Sequence, residues 1–341
     1  MDKETLSNYG WIVICILILA VMLALATPFG SFVAGAIKST TAGLFMTNQN
    51  ALGAAGIVIG DQEFDEQEEK DMSGNAYAIY TASDETLRFI RAEEAPQIGD
   101  LYNNEEITMV YSDIETINTY YDGEAEHRPW GSAKRVIVED WIQPITTSAW
   151  FSNMRNATYF DVAKIDMSKV TDMSYMFAQA GRNNSVTTFK IVGMEKWDVS
   201  NVQNMTCALS FVGEYATTWS IGDLSGWKTT NVKSMQNLFS GCGQYAPNWT
   251  VGDLSGWNVS NVTHMQYIFQ KTGMHSTTYE LNGVDQWKPS SLENAFGAFW
   301  DTGLNVDYTI DLSSWSTYVD DDVNHNYFET NVETKIITPW E

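Results

Sequence analysis

The apolar positions of the C-terminal half recur in rows. An aromatic residue is followed at +2 by an aliphatic, at +5 by another apolar residue and at +8 by tryptophan. The four clean rows are Phe189/Ile191/Met194/Trp197, Trp219/Ile221/Leu224/Trp227, Trp249/Val251/Leu254/Trp257 and Tyr279/Leu281/Val284/Trp287; a fifth, Tyr308/Ile310/Leu312/Trp315, is one residue short. The tryptophans are therefore 30, 30, 30 and 28 residues apart, a period that marks a solenoid of stacked repeats. The alternation at 0 and +2 predicts a short strand. A second block opens with Val170-x-x-Met173-x-x-Met176-Phe177 and returns after the early tryptophans as Val202-x-x-Met205, Val232-x-x-Met235-x-x-Leu238-Phe239 and Val262-x-x-Met265-x-x-Ile268-Phe269. Apolar steps of three predict a short helix or 3-10 turn. Ser200-Asn201, Thr230-Asn231 and Ser260-Asn261 precede it and suit a helix N-cap. Each unit thus reads as strand, turn, short helix, turn. Such a unit cannot order itself alone, because each residue loses roughly 1–2 kcal/mol of backbone entropy. Stacked copies bury one another's aromatic, aliphatic and Met columns, at roughly 1.5–3 kcal/mol per large side chain. The recurring aromatics are therefore core rather than a ligand cage.

The wording of the repeat carries a resemblance. "SKVTDMSYMF", "WDVSNVQNM" and "WNVSNVTHMQYIF" resemble the BspA-like leucine-rich-repeat surface proteins of bacteria, over about residues 76–341. "AYAIYTASDETLRFIRAEEAPQIGD" and "VIVEDWIQPITTSAWFSNM" are similar to the β-rich lead-in and N-terminal cap of that family, and "VNHNYFETNVETKIITPW" to its C-terminal closure. Cys207-Ala208-Leu209 departs from the Met-Phe ending, and Ser291–Phe296 is a worn copy. The resemblance implies a cell-surface location and, in some members, adhesion; it implies no defined ligand.

The N-terminal pattern is different. No charge occurs between Glu4 and Lys38, and Trp11–Ala26 is apolar throughout, long enough to cross a bilayer, which needs about 20 apolar residues. Three readings stay open. Ala24-Leu25-Ala26 fits a signal-peptidase site, although the n-region is poorly basic. The segment also fits a plain signal anchor. Thirdly, "NYGWIVICILILAVMLALATPFGSFVAGAIKSTTAGLF", with Tyr9-Gly10 at its start, resembles the helix of Flp-type (type IVb) pilins; Asn8 stands where that family has a glutamate. Ala26, Gly30 and Ala34 form a small-residue stripe that would let helix backbones approach closely. A helix continued to Phe45 would outrun the membrane, since 40 residues span about 60 Å, so its distal half would need apolar neighbours such as other subunits. The expected fold class is a long N-terminal apolar α-helix followed by a β-rich lead-in and a leucine-rich-repeat-like solenoid. The expected divisions are 1–47 membrane or assembly helix, 48–75 acidic linker, 76–135 β-rich lead-in and 136–341 solenoid with caps.

Charge narrows the partners. The chain carries 43 acidic against 19 basic residues, net −24, which disfavours nucleic acid, whose binding rests on phosphate neutralisation, and suits a soluble, self-repelling exterior. Seven acids and one Lys fall within Asp61–Asp71, an exposed linker or collar. Cysteine is scarce: Cys15 lies in the apolar stretch, while Cys207 and Cys242 fall at different repeat phases, leaving a disulfide possible but unsupported. His127, His264, His275 and His325 lack metal-ligand spacing. Gly241–Ala246 superficially fits G-x-G-x-x-A but sits in a repeat turn with no crossover behind it. Asp320-Asp321-Asp322 lacks the spaced pattern of a calcium loop. Asn248-Trp249-Thr250 and similar tripeptides arise from the Asn/Thr-rich repeat. No catalytic, cofactor or metal set is expected.

Strand alternation also names a face. Residues flanking the inward aromatics point outward, forming the columns Thr188, Thr218, Asn248, Thr278, Asp307 and Lys190, Ser220, Thr250, Glu280, Thr309; Tyr215, Tyr245 and His275 form a further row in equivalent turns. Small polar columns beside tyrosines could grip protein or glycan. The expectation is a non-enzymatic bacterial cell-surface protein, a pilin-like filament subunit displaying the repeat domain for adhesion or recognition. It would self-associate through the N-terminal helix and meet the membrane through residues 11–27. The alternative is a single-pass anchored or secreted adhesin that does not polymerise.

Overall fold

The computed structural model describes residues 70–116, 131–318 and 336–337, all within one compact unit, Glu69–Glu341. It opens with the hairpin β1 (Asn75–Thr81) and β2 (Thr86–Ala92), joined at Thr81↔Thr86, with β3 (Leu101–Tyr102) and β4 (Glu105–Tyr111) beyond β1. Strand β2 pairs in parallel with β5 (Arg135–Val138), the first strand of the solenoid, and β6 (Tyr159–Asp161), β7 (Thr188–Val192) and β8 (Thr218–Ser220) follow in parallel. The eight-stranded order is β3-β4-β1-β2-β5-β6-β7-β8. Strands β9 (Asn248–Asp253) and β10 (Thr278–Asn282) form a separate parallel pair, as do β11 (Ile310–Asp311) and β12 (Ile336–Ile337). One hydrophobic core runs from Ala76 to Ile336.

In the hairpin, buried Arg88 donates to Asp84 Oδ2 at 2.5 Å and to Thr81 Oγ1 at 2.6 Å. Burial raises the Asp84 pKa, but the bonds from Arg88 and Thr81 outweigh it and lower the value from 3.8 to about 2. Asp166, also pushed up by burial, is lowered on balance by Lys70 at 2.8 Å and by Ser168. Carboxylates with depressed folded pKa values stabilise the fold above their unfolded value, and that contribution is lost as pH falls through the folded one. The melting temperature should therefore drop as pH is lowered from above 3.8 toward about 2. Asp84→Asn should flatten that slope; an unchanged slope in a thermal-melt pH series would refute the assignment.

In the coils of β7, β9 and β10 the strand leads to a 3-10 turn and then to the tryptophan; the turn after β6 leads to no tryptophan, Trp315 lies within its turn, and no 3-10 turn follows β8. The turns are Met167–Lys169, Met194–Lys196, Leu254–Gly256, Val284–Gln286 and Ser313–Thr317. Each tryptophan is a staple as well as a core residue. The indole N–H of Trp197, Trp227, Trp257, Trp287 and Trp315 donates to Val162, Met194, Leu224, Leu254 and Val284 of the preceding coil, at 2.8–3.0 Å. Their rings stack in one column, 5.9–6.3 Å apart and 6–17° from parallel.

The expected fold class needs correction. Among the described residues every helical segment is a 3-10 turn of three to five residues, and no helix is long and apolar enough to cross a membrane. Among the described residues the fold is therefore a sheet-and-turn solenoid, with no transmembrane or pilin-like helix. The expected helix over 1–47, its stripe Ala26, Gly30 and Ala34, its stretch 11–27 and Cys15 lie outside the described residues, as do His127, His325 and Asp320–Asp322.

The block after each tryptophan is not helical either. Tyr175, Gln179, Cys207, Phe211, Asn237, Tyr267 and Lys271 have φ between 55° and 63°, which breaks any helix. Alternate amides instead donate to the next coil: Met205, Cys207, Leu209 and Phe211 to the carbonyls of Ser234, Gln236, Leu238 and Ser240, at 2.7–3.0 Å. The same pattern recurs from Met235 to Gly241 and from Met265 to Lys271. Isolated parallel bridges Asp172↔Asn204↔Ser234↔His264↔Asn294 begin this second ladder. The expected N-caps are likewise inter-coil bridges: Asn201, Asn231 and Asn261 donate through Nδ2 to Ser168, Ser200 and Thr230 carbonyls at 2.7–2.8 Å.

Candidate functional site

The strand face is built by alternation. In β7, β9 and β10 the inward residues Phe189, Ile191, Trp249, Val251, Tyr279 and Leu281 are buried, while Thr188, Lys190, Asn248, Thr250, Thr278 and Glu280 are exposed. Thr218 and Ser220 are exposed on β8. Parallel register sets Thr188 beside Thr218 and Lys190 beside Ser220, then Asn248 beside Thr278 and Thr250 beside Glu280. The Thr278 hydroxyl donates to Asn248 Oδ1. Asp307 and Thr309 are exposed but precede β11, so the columns leave the sheet there.

Both columns are interrupted in the middle, because no strand pairing joins β8 to β9. Pro247 explains the seam. At its phase in neighbouring coils Thr217 N–H donates to Thr187 O at 3.0 Å, and Thr277 N–H donates to Pro247 O at 2.8 Å. Proline has no N–H to return toward Thr217. The seam is bridged at one end by Gly243 N–H to Val212 O and Tyr245 N–H to Glu214 O, both 3.0 Å, and at the other by Leu224 N–H to Val251 O, 2.8 Å. Between them lies a groove of about 430 Å³ lined by Trp219, Ser220, Gly222, Asp223, Asn248, Thr250 and Gly252. Trp219 points inward like Phe189, Trp249 and Tyr279, yet it alone of the four is only partly buried. Its indole stacks on Trp249 at 6.2 Å and 12°.

The aromatic row also forms. Tyr215 and Tyr245 stack at 5.4 Å, Tyr245 and His275 at 4.3 Å, with ring planes 28–29° apart. Tyr245 and His275 are exposed, Tyr215 half-buried. The Glu214 carboxylate raises the Tyr215 phenol pKa, and Glu214 itself accepts from Arg182, whose guanidinium lies 3.9 Å from the Phe211 ring. A larger groove, about 910 Å³, follows the turns of Trp257 and Trp287 past Asn258, Asp285 and Lys288. Those two indoles are 3% and 1% exposed, and the half-buried aromatic that lines this groove is Tyr318.

Among the described residues no group of three or more His, Cys, Asp or Glu could hold a metal. Cys207 and Cys242 are both free thiols rather than a disulfide. Burial raises both pKa values, that of Cys242 well above its ordinary value, which leaves neither thiol activated as a nucleophile. Reading the sequence missed the seam, although its signal was present: Pro247 stands where the neighbouring coils have Thr187, Thr217 and Thr277.

No curated protein and no solved structure matches the chain. One family does, DUF285, described as a Mycoplasma protein of unknown function, over residues 146–273 and 194–340. Together the two overlapping matches span 146–340, more than half of the 341 residues and the whole run of stacked tryptophans. The chain therefore belongs to the DUF285 family.

Proposed function

We propose that this protein is a non-enzymatic recognition protein of the bacterial cell surface, which grips a protein or glycan ligand with the outer face of its strands. The observation that carries this reading is the pair of exposed polar columns, in register within β7–β8 and within β9–β10 and backed by a continuous hydrophobic core. A rigid ladder presents hydroxyl, amide and charged groups at one coil spacing, so little ordering entropy is lost when a long ligand lies across it. The stacked Tyr215, Tyr245 and His275 flank the strands and add amphipathic contact surface. The net charge of −24 favours neutral or basic partners over nucleic acid. The bacterial surface location and the absence of a cofactor belong to this same reading.

Antibody raised to residues 131–318 should label intact cells. On an array of extracellular proteins and glycans the full-length chain should retain at least one component. Lys190→Glu with Glu280→Lys, both at exposed positions, should weaken that retention by about tenfold, the effect of roughly 1.4 kcal/mol. Failure to retain any component, or indifference to the charge swaps and to changes throughout both columns, would sink the reading.

A further inference from the structure

We infer that the seam between β8 and β9 is a subsite for one neutral pyranose ring of a glycan. This rests on the recognition reading above and assigns it a ligand class. The seam is short. Thr218–Ser220 spans about 10 Å at 3.3 Å per residue, and bridging hydrogen bonds close it at both ends, so it admits a ring more readily than an extended peptide. Trp219, half-buried where Phe189, Trp249 and Tyr279 are buried, lines its wall. Sugar rings present C–H faces that pack on such an amphipathic aromatic surface.

The polar lining complements hydroxyl groups. Ser220 Oγ and Thr250 Oγ1 accept from the amides of Gly222 and Gly252 at 3.4 and 3.3 Å, which leaves their O–H free to donate. Asn248 Oδ1 accepts from Thr278, and its Nδ2 has no partner among the described residues. Asp223 Oδ1 accepts from Ser225 N–H at 2.9 Å, and its second oxygen is open. Two hydroxyl donors, one amide donor and one carboxylate acceptor thus line the same groove as Trp219. A sugar hydroxyl both donates and accepts, and can use all of them. No lysine or arginine lines the groove. With Asp223 the only charge there, phosphate, sulfate and acidic sugars are repelled.

The test titrates the full-length chain with the methyl pyranosides of glucose, galactose, mannose and N-acetylglucosamine, read by saturation-transfer NMR and tryptophan fluorescence. At least one should bind, with the strongest transfer to the ring C–H groups that cover the indole. The double variant Ser220→Ala/Thr250→Val changes only exposed side chains and should weaken binding about tenfold or more. Pro247→Thr returns the N–H found at this phase in the neighbouring coils; it should zip β8 to β9, slow amide exchange there and remove binding. Binding of none of the four sugars, or binding that survives both variants, overturns the proposal. If array retention persists and follows Lys190 and Glu280 while the sugars fail, the seam assignment falls and the recognition reading stands; if array retention fails as well, both fall.

Discussion

Replacing Trp257 by alanine should destabilise the solenoid by about 3–5 kcal/mol, the range for large aromatic residues removed from a core. Its ring is 3% exposed and stacks on Trp227 at 5.9 Å and on Trp287 at 6.1 Å. Alanine leaves a cavity between two coils and interrupts the column where it is continuous on both sides. It also removes the indole N–H that the Leu224 carbonyl accepts at 2.9 Å, leaving that carbonyl with the Trp227 backbone N–H alone. Trp257→Phe separates the two contributions: it keeps most of the apolar area and loses the staple. A net cost of about 0.5–1.5 kcal/mol is expected for the lost bond, since its acceptor keeps the Trp227 N–H. In a stacked array such a loss acts on both neighbouring interfaces. Urea unfolding of the three proteins measures this directly. If phenylalanine were as costly as alanine, the hydrogen bond rather than the ring would hold the coils together; if it were free, the staple would contribute nothing.

Gly193→Ala should cost about 2–5 kcal/mol, the sum of a left-handed backbone penalty and an overpacking penalty. Gly193 turns the chain from β7 into the 3-10 turn with φ of 99°. A Cβ there would lie 2.3 Å from both the Cα and N of Ala163 in the preceding coil. Neither atom belongs to a flexible side chain, so relief would require two coils to separate. Gly226 supplies the control: its φ lies outside the left-handed region and a Cβ would meet nothing within 4 Å. Gly226→Ala should be neutral or slightly stabilising, by up to about 1 kcal/mol through the unfolded chain. Equal effects at the two glycines, measured by thermal and urea unfolding, would mean that close packing of the coils does not govern this corner.

These two sites show how far the sequence reaches. The tryptophan column was legible because its 30-residue spacing is a one-dimensional fact, and stacking copies is the one way to bury so regular a set of rings. The outward columns at Thr188, Lys190, Asn248, Thr250, Thr278 and Glu280 were legible for a similar reason: a strand turns successive side chains to opposite sides whatever it pairs with. The close approach of Gly193 to Ala163 was not legible, since it depends on how near two coils lie.

The post-tryptophan block shows the limit most sharply. Val232-x-x-Met235-x-x-Leu238 has the step of three that a helix shares with a run of turns, so periodicity could not choose between them. The choice fell to the amides. Within a helix they would bond four residues back; here Met235, Asn237 and Phe239 bond to His264, Gln266 and Ile268 of the next coil. Asn231, in place to cap a helix, reaches the Ser200 carbonyl instead. The sequence by itself determined the repeat, its core columns and the polarity of its strand face, because these depend on the order of side chains along one chain. Only the tertiary structure decided that the second block is a turn ladder, that the tryptophans donate as well as stack, and that Pro247 opens a seam over Trp219. Each of those rests on a hydrogen bond made, or refused, by a residue about thirty positions away in the neighbouring coil.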